Sequence, residues 1–181
     1  MLIQKYSEKW KTNFDALKEI FEKTISNVKI SIEHIGSTAV PNLDAKDILD
    51  IDIVYFDLYD FQKIKVYLET LGYCHYGNQG IIDREVFKRI NTNHPILDTI
   101  PHHLYVCPNH SQELKKHILF RNYLRKNEFA RDEYQDLKYK IAQEAKQDKK
   151  KYAYMKEIKA TKFITNVIDL ANKLEPNFFS D

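Results

Sequence analysis

Residues 28–37, VKISIEHIGS, and residues 48–56, ILDIDIVYF, decide the fold of this chain. Each run alternates β-branched or apolar residues with polar ones, the period of a strand half-buried in a sheet. The first predicts a strand over residues 28–35 ending in the turn Gly36-Ser37, and the second a strand over residues 48–56. On that second strand Leu49, Ile51 and Ile53 face a core, so Asp50 and Asp52 share the opposite face. Neighbouring carboxylates on an otherwise apolar strand repel unless a cation or a donor sits with them. A divalent metal ion is the simplest partner; salt bridges from Lys46, Arg84 or Arg89 are the structural alternative.

Working outward, Trp10, Phe14, Leu17 and Phe21 recur at helical spacing and predict an amphipathic helix from residue 7 to about residue 25. Phe61, Ile64, Leu68 and Leu71 predict a second helix over residues 59–71, ended by Gly72. Short strands are expected at 73–76, 86–90 and 103–107, with residues 91–102, which include Pro95 and Pro101, as a loop. Past Pro108 the pattern is helical throughout: Leu114, Ile118 and Leu124, then Tyr134, Leu137 and Ile141, then Phe163, Ile164, Val167, Ile168 and Ala171. Asn127 is placed to cap the middle helix, and Thr38 to cap the turn after Ser37. With no repeat and no low-complexity linker, residues 1–181 are expected to form a single domain. Within it, residues 1–108 hold the sheet and residues 109–181 a helical subdomain. The expected class is α+β, a small mixed sheet with packed helices and a helical C-terminal portion.

At 43% hydrophobic residues, 181 residues suffice for one core and hardly for two. The N-terminus lacks the apolar stretch of a secretory signal, and no window resembles a membrane span. A cytoplasmic protein with no membrane partner is expected. Cys74 and Cys107 have no metal-ligand spacing and are expected to be buried structural thiols. The net charge is only +2, yet residues 112–162 hold 15 Lys or Arg against 8 Asp or Glu. Such an excess could attract phosphate or nucleic acid, RNA included, although solvated helix faces are the first explanation for it.

With these residues in place, the sequence resembles the GrpB family, which is grouped by fold with the nucleotidyltransferases. The resemblance rests on residues 33–41, EHIGSTAVP, followed by Ala45-Lys46 and Asp50-Ile51-Asp52-Ile53. A later block, His102-His103-Leu104-Tyr105-Val106 and Phe120-Arg121-Asn122-Tyr123-Leu124-Arg125, extends it, as do Tyr134, Leu137-Lys138, Tyr152 and Lys156. The resemblance implies a nucleotidyltransferase-like fold in which the Gly36-Ser37 turn takes nucleotide phosphates and Asp50 and Asp52 hold Mg²⁺ or Mn²⁺. The superfamily's third carboxylate is missing here, because His103 and Tyr105 occupy the alternate positions of the matching strand. That departure counts against two-metal chemistry.

Residue by residue, Gly36 lets backbone approach an anion and Ser37 offers a hydroxyl donor, though a Gly-Ser turn is often only a turn. His34 is placed to touch phosphate or to serve as hydrogen-bonded structure. His103, near the acidic strand, suits a general base or a metal ligand. Arg121 and Arg125 lie one helical turn apart and offer guanidinium forks for phosphate; pairing with Glu128 or Asp132 is the alternative. Lys46 and Lys156 are further phosphate contacts. The expected activity is Mg²⁺-dependent transfer of a nucleotidyl group from a nucleoside triphosphate to a hydroxyl acceptor. An inactive nucleotide- or anion-binding module and an RNA-interacting protein are its rivals.

Overall fold

A computed structural model describes residues 1–90 and 93–174. The elements run α1 (Lys9–Thr24), β1 (Ile30–Ile35), β2 (Leu49–Tyr55), α2 (Asp60–Thr70), β3 (Tyr73–His75), β4 (Glu85–Arg89), β5 (His102–Pro108), α3 (Gln112–Lys126), α4 (Glu128–Glu144) and α5 (Lys149–Leu174). A single 3-10 turn, Ser37–Ala39, follows β1. The expected loop ends one residue early, because His102 already pairs with Leu49 as the first residue of β5. Its residues Asn91 and Thr92 lie outside the described residues.

The five strands form one sheet in the order β1-β2-β5-β4-β3. Strands β2 and β5 are parallel, and the other neighbours are antiparallel, so the sheet is mixed. Its register sets the site. Asp50 stands beside Ile35 on β1 and His103 on β5, and Asp52 beside Glu33 and Tyr105. Alternation then puts Glu33, Asp50, Asp52, His103 and Tyr105 on one face.

The opposite face carries the main core, where Leu49, Ile51 and Ile53 pack against Trp10, Phe14, Leu17 and Phe21 of α1 and Ile64 and Leu68 of α2. Each fully buried side chain of this kind contributes about 1.5–3 kcal/mol. On the acidic face, Leu114 and Ile118 of α3 seat on Val54 and Cys107. A separate apolar cluster joins α3, α4 and α5 through Leu124, Tyr134, Ile141, Tyr152 and Ala160, and takes in Val40 and Leu43 after the turn. The C-terminal helices therefore close over the segment between β1 and β2.

Local signals behave as their chemistry predicts. The Asn127 side chain accepts from the Ala130 N–H at 3.0 Å and caps α4, and Ser111 does the same for Leu114 at 3.3 Å on α3. Both cysteines are free, but Cys74 is only half-buried, because on edge strand β3 it points away from the core that α1 and α2 build. Among the described residues no helix is long and apolar enough to cross a membrane.

Candidate functional site

The chain leaves β1 through Gly36, whose backbone, with φ 72° and ψ −169°, lies in a region essentially reserved for glycine. A Cβ built there would overlap Asp50 Oδ2 and stand 3.1 Å from its Cγ. The turn is thus pressed directly against the first aspartate. Asp50 itself is half-buried and makes no hydrogen bond or ion pair among the described residues. Burial raises its pKa; the charges of His103, Lys156 and His117 pull the other way, and Asp52 adds to the rise. Such a carboxylate gains most from a cation.

Asp52 lies deeper and is fully buried. Its Oδ2 accepts from His117 Nδ1 at 2.8 Å, while its Oδ1 is buried with no partner. His117, on α3, has its other nitrogen 3.6 Å from Glu113 Oε1. Burial lowers its pKa, but Asp52, Glu113 and Asp50 outweigh that and the net shift is upward. Among the described residues none of Lys46, Arg84 and Arg89 is seen to pair with either aspartate; the partner of Asp52 is a histidine, His117. Nothing local signals it, since the two residues are 65 positions apart.

Asp50 lines two adjoining cavities, of about 460 Å³ and 310 Å³. Ser37, Lys156 and Ile164 also line both. Three lysines, Lys46, Lys138 and Lys156, converge on the larger one, which Asp50 and Glu157 also line. The Lys46 ammonium sits 4.2 Å from the Tyr152 ring centre, its pKa lowered by burial and by Lys156 and Lys149. Lys138 is 2% exposed and donates to the Asp44 carbonyl; burial, helped by Lys156, brings its pKa down to about 7. Lys156 is held charged, its pKa raised by Tyr134 and then by Tyr152 and Asp50 against the pull of burial. Crowded ammonium groups repel, so the cavity favours an anion with several negative oxygens. The smaller cavity is bounded by Tyr105, Glu113, His117, Phe120 and Tyr134.

Several residues expected at the site do other work. His34 faces the α1 side, stacked on Phe14 with ring centres 4.7 Å apart and hydrogen-bonded to the Thr38 hydroxyl at 3.0 Å. Burial, then Arg125 and Arg121, lower its pKa to about 4, so it is a neutral structural histidine rather than a phosphate contact. Thr38 is spent on that bond and caps nothing. Arg121 and Arg125 share a helix face as expected, but they point under the turn and not into the cavities. Arg121 Nη1 donates to Glu33 Oε2 at 2.7 Å and to the His34 carbonyl at 2.9 Å. Arg125 donates twice to the Ala39 carbonyl, at 2.9 and 2.6 Å. The alternative partners fail too, since Glu128 and Asp132 pair with Arg131. Arg121 thus satisfies a carbonyl near the end of β1 and Arg125 one in the turn that follows; Arg121 is buried and Arg125 stays exposed. His103 is exposed at the rim of the larger cavity.

A family model described as GrpB protein matches residues 1–169. The glutamate-rich protein GrpB of Alkalihalophilus pseudofirmus is 31% identical over 158 residues, covering 87% of this chain and 90% of that protein. UPF0157 protein YqkA of Bacillus subtilis is 31% identical over 137 residues, 76% of this chain but only 38% of YqkA. Among solved structures, the conserved protein GrpB from Enterococcus faecalis superposes with a TM-score of 0.76 at 29% identity, covering 94% of this chain and 97% of that one. The Cid1 poly(U) polymerase in a MgATP-bound crystal structure gives a TM-score of 0.57 at 13% identity, over 84% of this chain and 50% of Cid1. That last likeness is one of fold, and the architecture is nucleotidyltransferase-like.

Proposed function

The chain belongs to the GrpB family, and from that premise and its cleft we propose that it binds a nucleoside triphosphate with one divalent cation and transfers the nucleotidyl group to a hydroxyl acceptor. The observation that carries this reading is Asp50. It is unpaired among the described residues, abuts the Gly36-Ser37 turn and lines a cavity with three lysines.

The donor set suits one ion. Mg²⁺ takes one or two carboxylates together with substrate phosphates, and Asp50 with the unpartnered Oδ1 of Asp52 offers that. A second ion has no comparable ligands. The β5 residues beside the aspartates are His103 and Tyr105, and Glu33 is engaged by Arg121. Among the described residues no group of three acidic, histidine or cysteine side chains is arranged to hold a metal. When bound, the ion neutralises charge on the phosphate being transferred.

The remaining roles fall to the chain. Ser37 donates its hydroxyl to phosphate oxygen, and Lys46, Lys138 and Lys156 hold the triphosphate tail and the departing pyrophosphate. His103 accepts the proton of the acceptor hydroxyl as the new oxygen–α-phosphorus bond forms and the bond to the β-phosphate bridge breaks. His117 holds Asp52 in place and is a positioning residue.

Mg²⁺ or Mn²⁺ with a nonhydrolysable triphosphate is expected to raise the melting temperature by several degrees, as ligand binding to the folded state does. Asp50→Asn should remove the rise, and an equal rise in that variant would overturn the reading. Binding is also expected to draw Lys138 back to its charged form. Calorimetry at about pH 8 in buffers of different ionisation enthalpy should then register uptake of up to about one proton. A second reading, a module that binds without turnover, is favoured by the missing third carboxylate on β5. Triphosphate binding with no pyrophosphate release would select it.

A further inference from the structure

Beyond the lysine cavity the same sheet face carries a further concavity, of about 500 Å³, whose lining among the described residues comes from β4, β5 and the segment between β3 and β4 and from no helix. His103 and Tyr105 lie in its wall, so it reaches the cleft at the strand beside Asp50. Of its three cations, Arg89 is held by Asp98 and the Leu71 carbonyl, whereas Arg84 and Lys88 make no ion pair among the described residues. The Arg84 guanidinium lies over the Tyr105 ring, 4.9 Å from the centre, and its Nε is buried without a partner. No hydrogen bond or ion pair to Arg84 occurs among the described residues. Lys88, four residues further along the chain, is exposed and sits 4.7 Å from the Tyr76 ring centre. Among the described residues no acidic side chain lines the groove.

A guanidinium fixed on an aromatic platform with idle donors is built for an oxyanion. Two cations rather than one match a phosphate monoester, which carries nearly two charges near neutral pH. We propose that this groove holds the acceptor, a hydroxyl compound bearing a phosphate monoester, with Arg84 gripping the phosphate and Lys88 supporting it. The assignment of the ligand as acceptor rests on the nucleotidyl-transfer reading; the phosphate site itself does not. The lysine cavity takes the triphosphate on one side of His103, and the groove presents the acceptor hydroxyl from the other. The attacking oxygen and the leaving pyrophosphate are thereby kept apart, as an in-line displacement requires.

Ribose 5-phosphate is the probe, titrated by calorimetry with and without Mg²⁺ and a nonhydrolysable triphosphate. It is expected to bind the wild-type chain in both conditions, and unphosphorylated ribose is not. Arg84→Gln should weaken binding about tenfold, the scale of one lost charge-assisted pair, whereas Lys156→Ala, titrated without triphosphate, should leave it unchanged. If Arg84→Gln does not fold, as judged by circular dichroism, Lys88→Gln at its exposed position takes its place, with several-fold weakening expected. No binding, equal binding of ribose, unchanged affinity in the groove variant, or loss in Lys156→Ala would each overturn the site. If instead ribose 5-phosphate binds as expected while the triphosphate does not, the groove stands as a phosphate site and the transfer reading falls.

Discussion

Gly36→Ala is expected to abolish the thermal response to Mg²⁺ and triphosphate and to destabilise the fold by about 1–3 kcal/mol through its backbone alone. Two effects coincide at this residue. Its φ of 72° with ψ −169° excludes a side chain, and the new methyl would occupy the place of Asp50 Oδ2. The carboxylate must swing away or the turn must lift, and either movement breaks the contact between the turn proposed to take phosphate and the acid proposed to hold the metal. Gly77→Ala is the control, since its φ is likewise positive, at 69°, but a Cβ there meets nothing within 4 Å. Urea melts should show both variants weakened, while only Gly36→Ala loses ligand binding. Undiminished binding in Gly36→Ala would show that the turn and Asp50 do not act together.

His117→Ala should cost about 3–5 kcal/mol, the usual consequence of removing one partner from a buried charged pair. Asp52 would then keep neither oxygen bonded, since Oδ1 already lacks a partner and Oδ2 depends on His117. The contribution is pH-dependent with a definite sign. Because the folded chain raises the His117 pKa above its ordinary 6.5, the pair stabilises fully below that value. The benefit is lost as pH rises through the higher folded value. Chemical denaturation across this range should show the gap between wild type and variant narrowing at alkaline pH. A gap under about 1 kcal/mol near pH 6 would mean that the pair carries no such load.

Much of the site was legible because strand geometry is local. Alternation along residues 49–55 sufficed to put Asp50 and Asp52 together and away from the core, and the same rule aligned His103 with Tyr105. Gly36 was legible as a turn, but the reason that only glycine serves there, the Asp50 carboxylate pressed against it, requires the register of β1 on β2. Helix periodicity likewise put Arg121 and Arg125 on one face without saying what that face meets. Their guanidiniums go to Glu33 and to the carbonyls of His34 and Ala39, because unpaired backbone acceptors near a helix are strong sinks for such donors. Lys138 reads in the sequence as one more helix lysine; its burial and its place in the anion cavity come from how α4 lies on α5.

What the sequence determined by itself is what has a short period: which segments are strands or helices, which side chains share a face, and that Asn127 caps α4. What only the tertiary structure decided is which faces meet: His117 on Asp52, three lysines around one cavity, and Arg84 left idle on Tyr105. The division is physical. Backbone sterics and side-chain alternation act over a few residues, whereas the pairing of charges 65 positions apart is set by apolar packing that brings the helices onto the sheet, and the polar groups take the partners that packing leaves them.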